Sequence, residues 1–270
     1  MTALKTYARV LTIAGSDSGG CAGIQADIKT ASACGCFAAS AITALTVQNT
    51  VGVRAVHIPP AEIVAGQIDV VLEDIGVDAV KLGMLPTAEI VGVVADSLEK
   101  NNAQNIVLDP VMVATSGDAL IDERAVEAII SRLLPMALLV TPNIPEAQFI
   151  TGCEITSEAD FPRAAARLRE MGARNVLLKA GHLKGDVLAD HLFLEEGRVR
   201  RYEYEWVDTP NTHGTGCSLS SAIASYLAMG YVLEDAVARA GQYLHKAILC
   251  GADYTLGRGH GPVHHFYKFW

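Results

Sequence analysis

The sequence predicts an α/β fold, with helices around a central and mainly parallel sheet, and three observations lead there. Short runs rich in Val, Ile and Leu alternate with amphipathic segments of helical length through most of the 270 residues, the pattern of βαβ units. The runs are brief and apolar enough to be covered on both faces. Several end in glycine or a polar residue, where an open parallel sheet places its ligands. No Pro/Gly/Ser-rich linker or internal repeat divides the chain, so a single domain over residues 1–270 is expected.

Taken in order, strands are expected at 10–14, 41–47, 79–82, 106–108, 138–140 and 176–179. Residues 54–58 and the stretch 186–206 read as edge or antiparallel strands, the latter alternating through Arg201-Tyr202-Glu203-Tyr204-Glu205-Trp206. Helices are expected at 23–34, 61–74, 87–100, 123–134, 159–171, 216–229 and 233–250. The last two are the most regular: Leu219, Ile223, Tyr226 and Leu227 form one apolar stripe, and Val237, Ala240, Leu244 and Ile248 another. Both read as core faces. The residues just past each strand are then the ones to inspect: Gly15-Ser16-Asp17, Gln48-Asn49, Gly83-Met84, Asp109-Pro110, Thr141-Pro142-Asn143 and Ala180-Gly181-His182.

Composition narrows the function classes. Half of the residues are hydrophobic and 19% are charged, which excludes a disordered chain. Lys and Arg number 21 against 30 Asp and Glu, a net charge of −9, so there is no basic footprint for nucleic acid or an anionic membrane. A small-molecule partner is expected instead. The six cysteines form neither C-x-x-C nor a zinc-ribbon spacing, which predicts reduced thiols in a cytoplasmic protein. No apolar run reaches the ~18 to 20 residues that span a bilayer.

The segment Asn211-Thr212-His213-Gly214-Thr215-Gly216-Cys217 leads into a regular helix. Backbone amides freed by a Gly-Thr-Gly turn at a helix start point together with the positive end of the dipole, which makes an anion hole. Cys217 stands beside it, and a thiol at a helix N-terminus is expected to titrate low enough to act as a base; locally it reads equally as a small buried cysteine. A second glycine-rich segment, Gly15 to Asp27, fits neither a P-loop nor a dinucleotide fingerprint. Its Asp27 either faces a substrate or simply complements the helix dipole. Asp109, Asn143 and Glu146 offer hard oxygen ligands of the kind magnesium takes, although Asn-x-x-Glu is also a capping box. Lys179 ends an apolar strand and needs an anionic partner if buried. The histidines show no metal-binding spacing.

Taken together, Gly-Ile-Gln-Ala-Asp at 23–27, Val-Gln-Asn-Thr at 47–50, Lys-Leu-Gly-Met at 81–84, Asp-Pro-Val-Met at 109–112, Thr-Pro-Asn-Ile-Pro-Glu at 141–146, His-Gly-Thr-Gly-Cys at 213–217 and the tail at 259–266 resemble the hydroxymethylpyrimidine/phosphomethylpyrimidine kinases of thiamine synthesis. The resemblance spans nearly the whole chain in order. It implies a ribokinase-like three-layer sandwich, ATP and Mg2+, and two successive phosphorylations of the pyrimidine, first on the hydroxymethyl oxygen and then on the resulting monophosphate. It implies a pyrimidine pocket of Gly15, Ala22, Asp27, Gln48, Met84, Val111 and Cys217. It also implies that the amides of Gly214, Thr215, Gly216 and Cys217 hold the transferring phosphoryl group, with Cys217 as base. Lys179, Asn143 and His213 would serve ATP, and Asp109 and Glu146 the metal. A homodimer is expected on the same ground. Pyridoxal/pyridoxine kinases of the same fold are the rival reading; Gln48, whose amide suits an aminopyrimidine edge, and Met84 favour the pyrimidine. Thr115 and Ala180 depart from the pattern, standing where Lys and Gly are common.

Overall fold

The computed structural model describes residues 5–112, 121–181, 183 and 187–270. Thr115 lies outside them. One nine-stranded sheet runs through the molecule in the order β3-β2-β1-β4-β5-β6-β7-β8-β9. The strands are β1 (Arg9–Asp17), β2 (Phe37–Asn49), β3 (Gly52–His57), β4 (Ala79–Leu82), β5 (Ile106–Leu108), β6 (Leu139–Val140), β7 (Val176–Leu178), β8 (Val187–Phe193) and β9 (Val199–Glu205). From β2 to β7 all neighbours are parallel, while β3 and the β8–β9 hairpin close the two ends antiparallel.

The two-residue period of the strands sorts their side chains onto two helix layers. Leu11, Ile13, Val80, Leu82, Ile106 and Leu108 face one core, shared with α2 (Ala61–Val70), α3 (Ala88–Lys100), α4 (Glu123–Ala128), α5 (Ile144–Thr151) and α6 (Phe161–Glu170). Val10, Ala79, Val107, Leu139 and Leu177 face the other, with α7 (Thr215–Ala228) and α8 (Leu233–Gly251). The helix α1 (Gly23–Cys34) covers this second face beside α7. Lys81 also points there, since it alternates with Val80 and Leu82, and it meets Asp27 of α1.

Expected and observed elements differ where an end is set by long-range contacts. β2 runs through Gln48 and Asn49, which the sequence places beyond it, because the strand continues into a hairpin with β3. β1 likewise keeps Gly15, Ser16 and Asp17 in its pairing with β2. The expected helices at 61–74 and 123–134 are each an α-helix finished by a π-helical turn, at Val71–Ile75 and Ile129–Leu133. The short helix α5 is absent from the expected set, although its capping box was read. Among the described residues no helix is long and apolar enough to cross a membrane.

Candidate active site

The carboxyl ends of the parallel strands open into a cavity of about 690 Å³. One end is lined by Gly15, Asp17, Ala22, Gln48, Met84 and Val111, the other by Tyr204, Trp206, Leu244, His245 and Ile248. Between them lie Asp109, Asn143, Glu146, Lys179 and the 213–217 turn. The site residues expected from sequence therefore line one cavity, with a single exception. Asp27 is 1% exposed and lies beneath the wall, its carboxylate taken by Lys81 Nζ at 2.9 Å, Thr12 Oγ1 at 2.5 Å and Ser221 Oγ at 2.7 Å. The pocket expected from sequence is corrected there: Asp27 is buried behind the cavity lining, and its bonds tie together β1, β4, α1 and α7.

The anion turn forms because Gly214 takes a left-handed φ of +83° as the cap of α7, where a Cβ would collide with the Cys21 carbonyl. The Thr215 amide bonds back to the Thr212 carbonyl at 3.3 Å. Gly216 and Cys217, next in the first turn of α7, supply amides with no carbonyl acceptor four residues back inside the helix. Burial pushes the Cys217 thiol up to about 11, as do Asp27 and Asp109, and these outweigh Lys81 and the Gly23 amide. The expectation of a low-titrating thiol is thus corrected: the helix-start effect loses to desolvation, and the thiol is protonated at neutral pH.

Asp109, at the end of β5, accepts from Lys179 Nζ at 3.1 Å, Thr141 Oγ1 at 3.2 Å and Ser220 Oγ at 3.2 Å. Burial works against its charge, but Lys179 and Lys81 outweigh it and hold the carboxyl below its usual range. Glu146 has the opposite fate: burial pushes it up to about 7, with Asp109 adding to the shift and Lys179 opposing it. Lys179 thus serves both carboxyls, while Lys81 reaches Asp109 but is bonded to Asp27. Asn143 caps α5 through the Glu146 amide at 2.9 Å, and Glu146 Oε2 accepts from the Asn143 amide at 2.8 Å, so the capping-box reading holds as well. His213 lies at the Gln48 end, its Nε2 3.0 Å from Gln48 Nε2 and 3.6 Å from Asp17 Oδ2.

Sequence reasoning missed three features. Asp17 gathers the amides of Gly19, Cys21 and Ala22 at 2.7, 2.9 and 2.9 Å, which folds the first glycine-rich turn around its own carboxylate. Lys81 was legible as a lysine inside an apolar strand, the signal that exposed Lys179. The aromatic wall of Tyr204, Trp206 and His245 had no local signal, because the β8–β9 hairpin and α8 meet only in the fold. Tyr204 stacks on His245 with ring centroids 5.9 Å apart, at a spot where Gly241 leaves room for its hydroxyl.

The class this arrangement defines is the ribokinase-like α/β kinase. Residues 17–264 match the model of the family described as phosphomethylpyrimidine kinase, and the chain belongs to that family. A hydroxymethylpyrimidine/phosphomethylpyrimidine kinase from Rhizobium meliloti is 51% identical over 261 residues, covering 96% of this chain and 97% of that protein. The crystal structure of phosphomethylpyrimidine kinase from Clostridium difficile superimposes with a TM-score of 0.78 at 44% identity, over 89% of this chain and 99% of that one. The pyridoxal kinase of Staphylococcus aureus in complex with pyridoxal gives 0.89 at 33% identity, over 98% and 96%.

Proposed function

We propose that this chain, as a single kinase domain, transfers the γ-phosphoryl group of ATP to 4-amino-5-hydroxymethyl-2-methylpyrimidine and then to its monophosphate, for thiamine diphosphate synthesis. The observation that carries the reading is the shared cavity, in which an acceptor end at Gln48 and Met84 and an aromatic end at Trp206 and His245 flank one anion turn. The Gln48 amide suits an aminopyrimidine edge, and the amides of Gly216 and Cys217 receive the phosphoryl group in transit. Lys179 compensates its charge. A loose transition state rests on positioning and charge compensation, so a neutral Cys217 thiol serves as the hydrogen-bonding neighbour of the attacking hydroxyl.

The donor set fits Mg2+: Asp109 and Glu146 are hard oxygen ligands that both line the cavity. Held by Asp109 and Glu146, the ion would neutralise charge on the phosphate oxygens. We further infer a cytoplasmic homodimer that uses the exposed Leu45 and Val47 on β2, without nucleic-acid or membrane partners.

The test is ATP- and Mg2+-dependent phosphorylation of the pyrimidine, resolved into mono- and diphosphate by mass spectrometry, with pyridoxal in parallel. Diphosphate formation is expected. Phosphorylation of pyridoxal alone would refute the reading and select the rival kinase, which the likeness to the pyridoxal-bound structure keeps in view.

A further inference from the structure

The hydrogen bonds around Gln48 do not balance in one sense of its amide and do in the other. Gln48 Nε2 stands 3.0 Å from His213 Nε2, and Oε1 stands 3.1 Å from the Thr46 hydroxyl, which lies 2.8 Å from the Ser16 carbonyl. A carbonyl only accepts, and a hydroxyl has one proton. The shorter contact to Ser16 claims that proton, so Thr46 Oγ1 meets Gln48 as an acceptor. A half-turn of the amide exchanges its oxygen and nitrogen within the same outline and satisfies both ends. The NH2 group then donates to Thr46, and the carbonyl accepts from a protonated His213 Nε2. Asp17 Oδ2, 3.6 Å from the same ring nitrogen, is a second acceptor favouring the proton there.

We infer that His213 is a positioning residue for the acceptor substrate: as the Nε2–H tautomer it fixes which end of the Gln48 amide is the carbonyl, and so which way round an aminopyrimidine binds. This rests on the pyrimidine-kinase reading. An aminopyrimidine edge sets a ring nitrogen acceptor beside an exocyclic amino donor, and it pairs with an amide in one of two senses. The amino group goes to the carbonyl. In 4-amino-5-hydroxymethyl-2-methylpyrimidine the hydroxymethyl group is attached next to the amino-bearing carbon, so it falls on the carbonyl's side. With the carbonyl at His213, that is the side of the loop that runs directly into Gly214 and Cys217. With the amide reversed, the hydroxymethyl group lies toward Thr46 and the complex is non-productive.

Two measurements on the full-length enzyme test this. Nitrogen-15 NMR of the His213 ring at about pH 8, above the ordinary histidine range, distinguishes the tautomers without any substrate. A proton on Nε2 is expected, and a proton on Nδ1 alone overturns the inference. Kinetics with the pyrimidine then compare wild type with His213→Leu and with His213→Gln, whose amide nitrogen reaches the place of Nε2. Without the donor the two senses approach equal occupancy, so His213→Leu should lower kcat by up to about twofold, the limit for one productive and one non-productive orientation. Its KM for the pyrimidine should stay level or fall, because non-productive binding adds occupancy without turnover, and KM for ATP should not move. His213→Gln should recover most of kcat. A raised KM at constant kcat, or equal losses in both variants, overturns the inference. Should His213→Leu fail to fold, Thr46→Val removes the partner at the other end of the amide and should give a smaller loss confined to kcat; a loss in KM instead overturns it. Wild-type enzyme that leaves the pyrimidine unphosphorylated refutes the activity, and the tautomer measurement tells that failure apart.

Discussion

Two lysine–aspartate pairs lie on the same sheet and do opposite things. Lys81 and Asp27 are 0% and 1% exposed, 2.9 Å apart, and closed off by the Thr12 and Ser221 hydroxyls. Lys179 and Asp109 are 12% and 1% exposed, 3.1 Å apart, and line the cavity beside the anion turn. The residue types are the same. What differs is access: the closed pair is sealed among protein groups and contributes to holding the fold, whereas the open pair reaches the cavity, where we propose that it serves the chemistry. A buried ion pair is an uncertain gain in stability, but removing one partner strands a charge and is costly.

The comparison breaks or sharpens at four places. The largest effect is expected from Asp27→Asn, which strands Lys81 and should lower stability by about 3–5 kcal/mol in urea unfolding. An unfolding midpoint equal to wild type would mean that the closed pair holds nothing. Next, Lys179→Met should cut kcat by about a hundredfold or more, comparable to loss of a donor that stabilises transition-state charge. Its stability loss should be smaller than that of Asp27→Asn, since Asp109 keeps the hydroxyls of Thr141 and Ser220 and the charge of Lys81. Equal losses of stability would erase the distinction between the pairs. Cys217→Ala should lower turnover by about three- to tenfold, the range of one lost hydrogen bond to the attacking hydroxyl. Because the thiol stays protonated up to about 11, the ratio of mutant to wild-type rates should be level from neutral pH to the ordinary thiol value of 9.0. A ratio that changes across that range would reinstate a thiolate base.

An effect confined to one pH window belongs to Glu146. Its folded value of about 7 lies above the ordinary 4.5, so the fold favours the protonated form. That contribution is complete below 4.5 and is lost as pH rises through 7, so Glu146→Gln should flatten the fall in stability over that window. Thermal unfolding of both proteins across the window measures it, and parallel curves would contradict the buried carboxyl described above.

The sheet was legible because its strands are short apolar runs: β4 and β5 have the expected limits, and so does α1. Element ends depending on partners far along the chain were not, as with β2 running on into its hairpin. In the site, glycine spacing at 214–217 and a lysine closing an apolar strand at 179 pointed locally to residues that line the cavity. Lys81 offered the same signal in the middle of its strand. Asp27 misled because a carboxylate one turn into a helix looks alike whether it faces solvent, substrate or a buried ammonium. The Cys217 titration was misjudged for a related reason: the dipole follows from position in the chain, whereas desolvation follows from what packs around it.

The carboxylate of Asp17, set among the amides of Gly19, Cys21 and Ala22, has a consequence for phosphate traffic. Two glycine-rich turns open on this cavity, and each presents clustered backbone donors. One arrives already plugged by an anion that the chain itself supplies, tethered and unable to leave. An entering anion is therefore repelled from the first turn and drawn to the amides of the 214–217 turn.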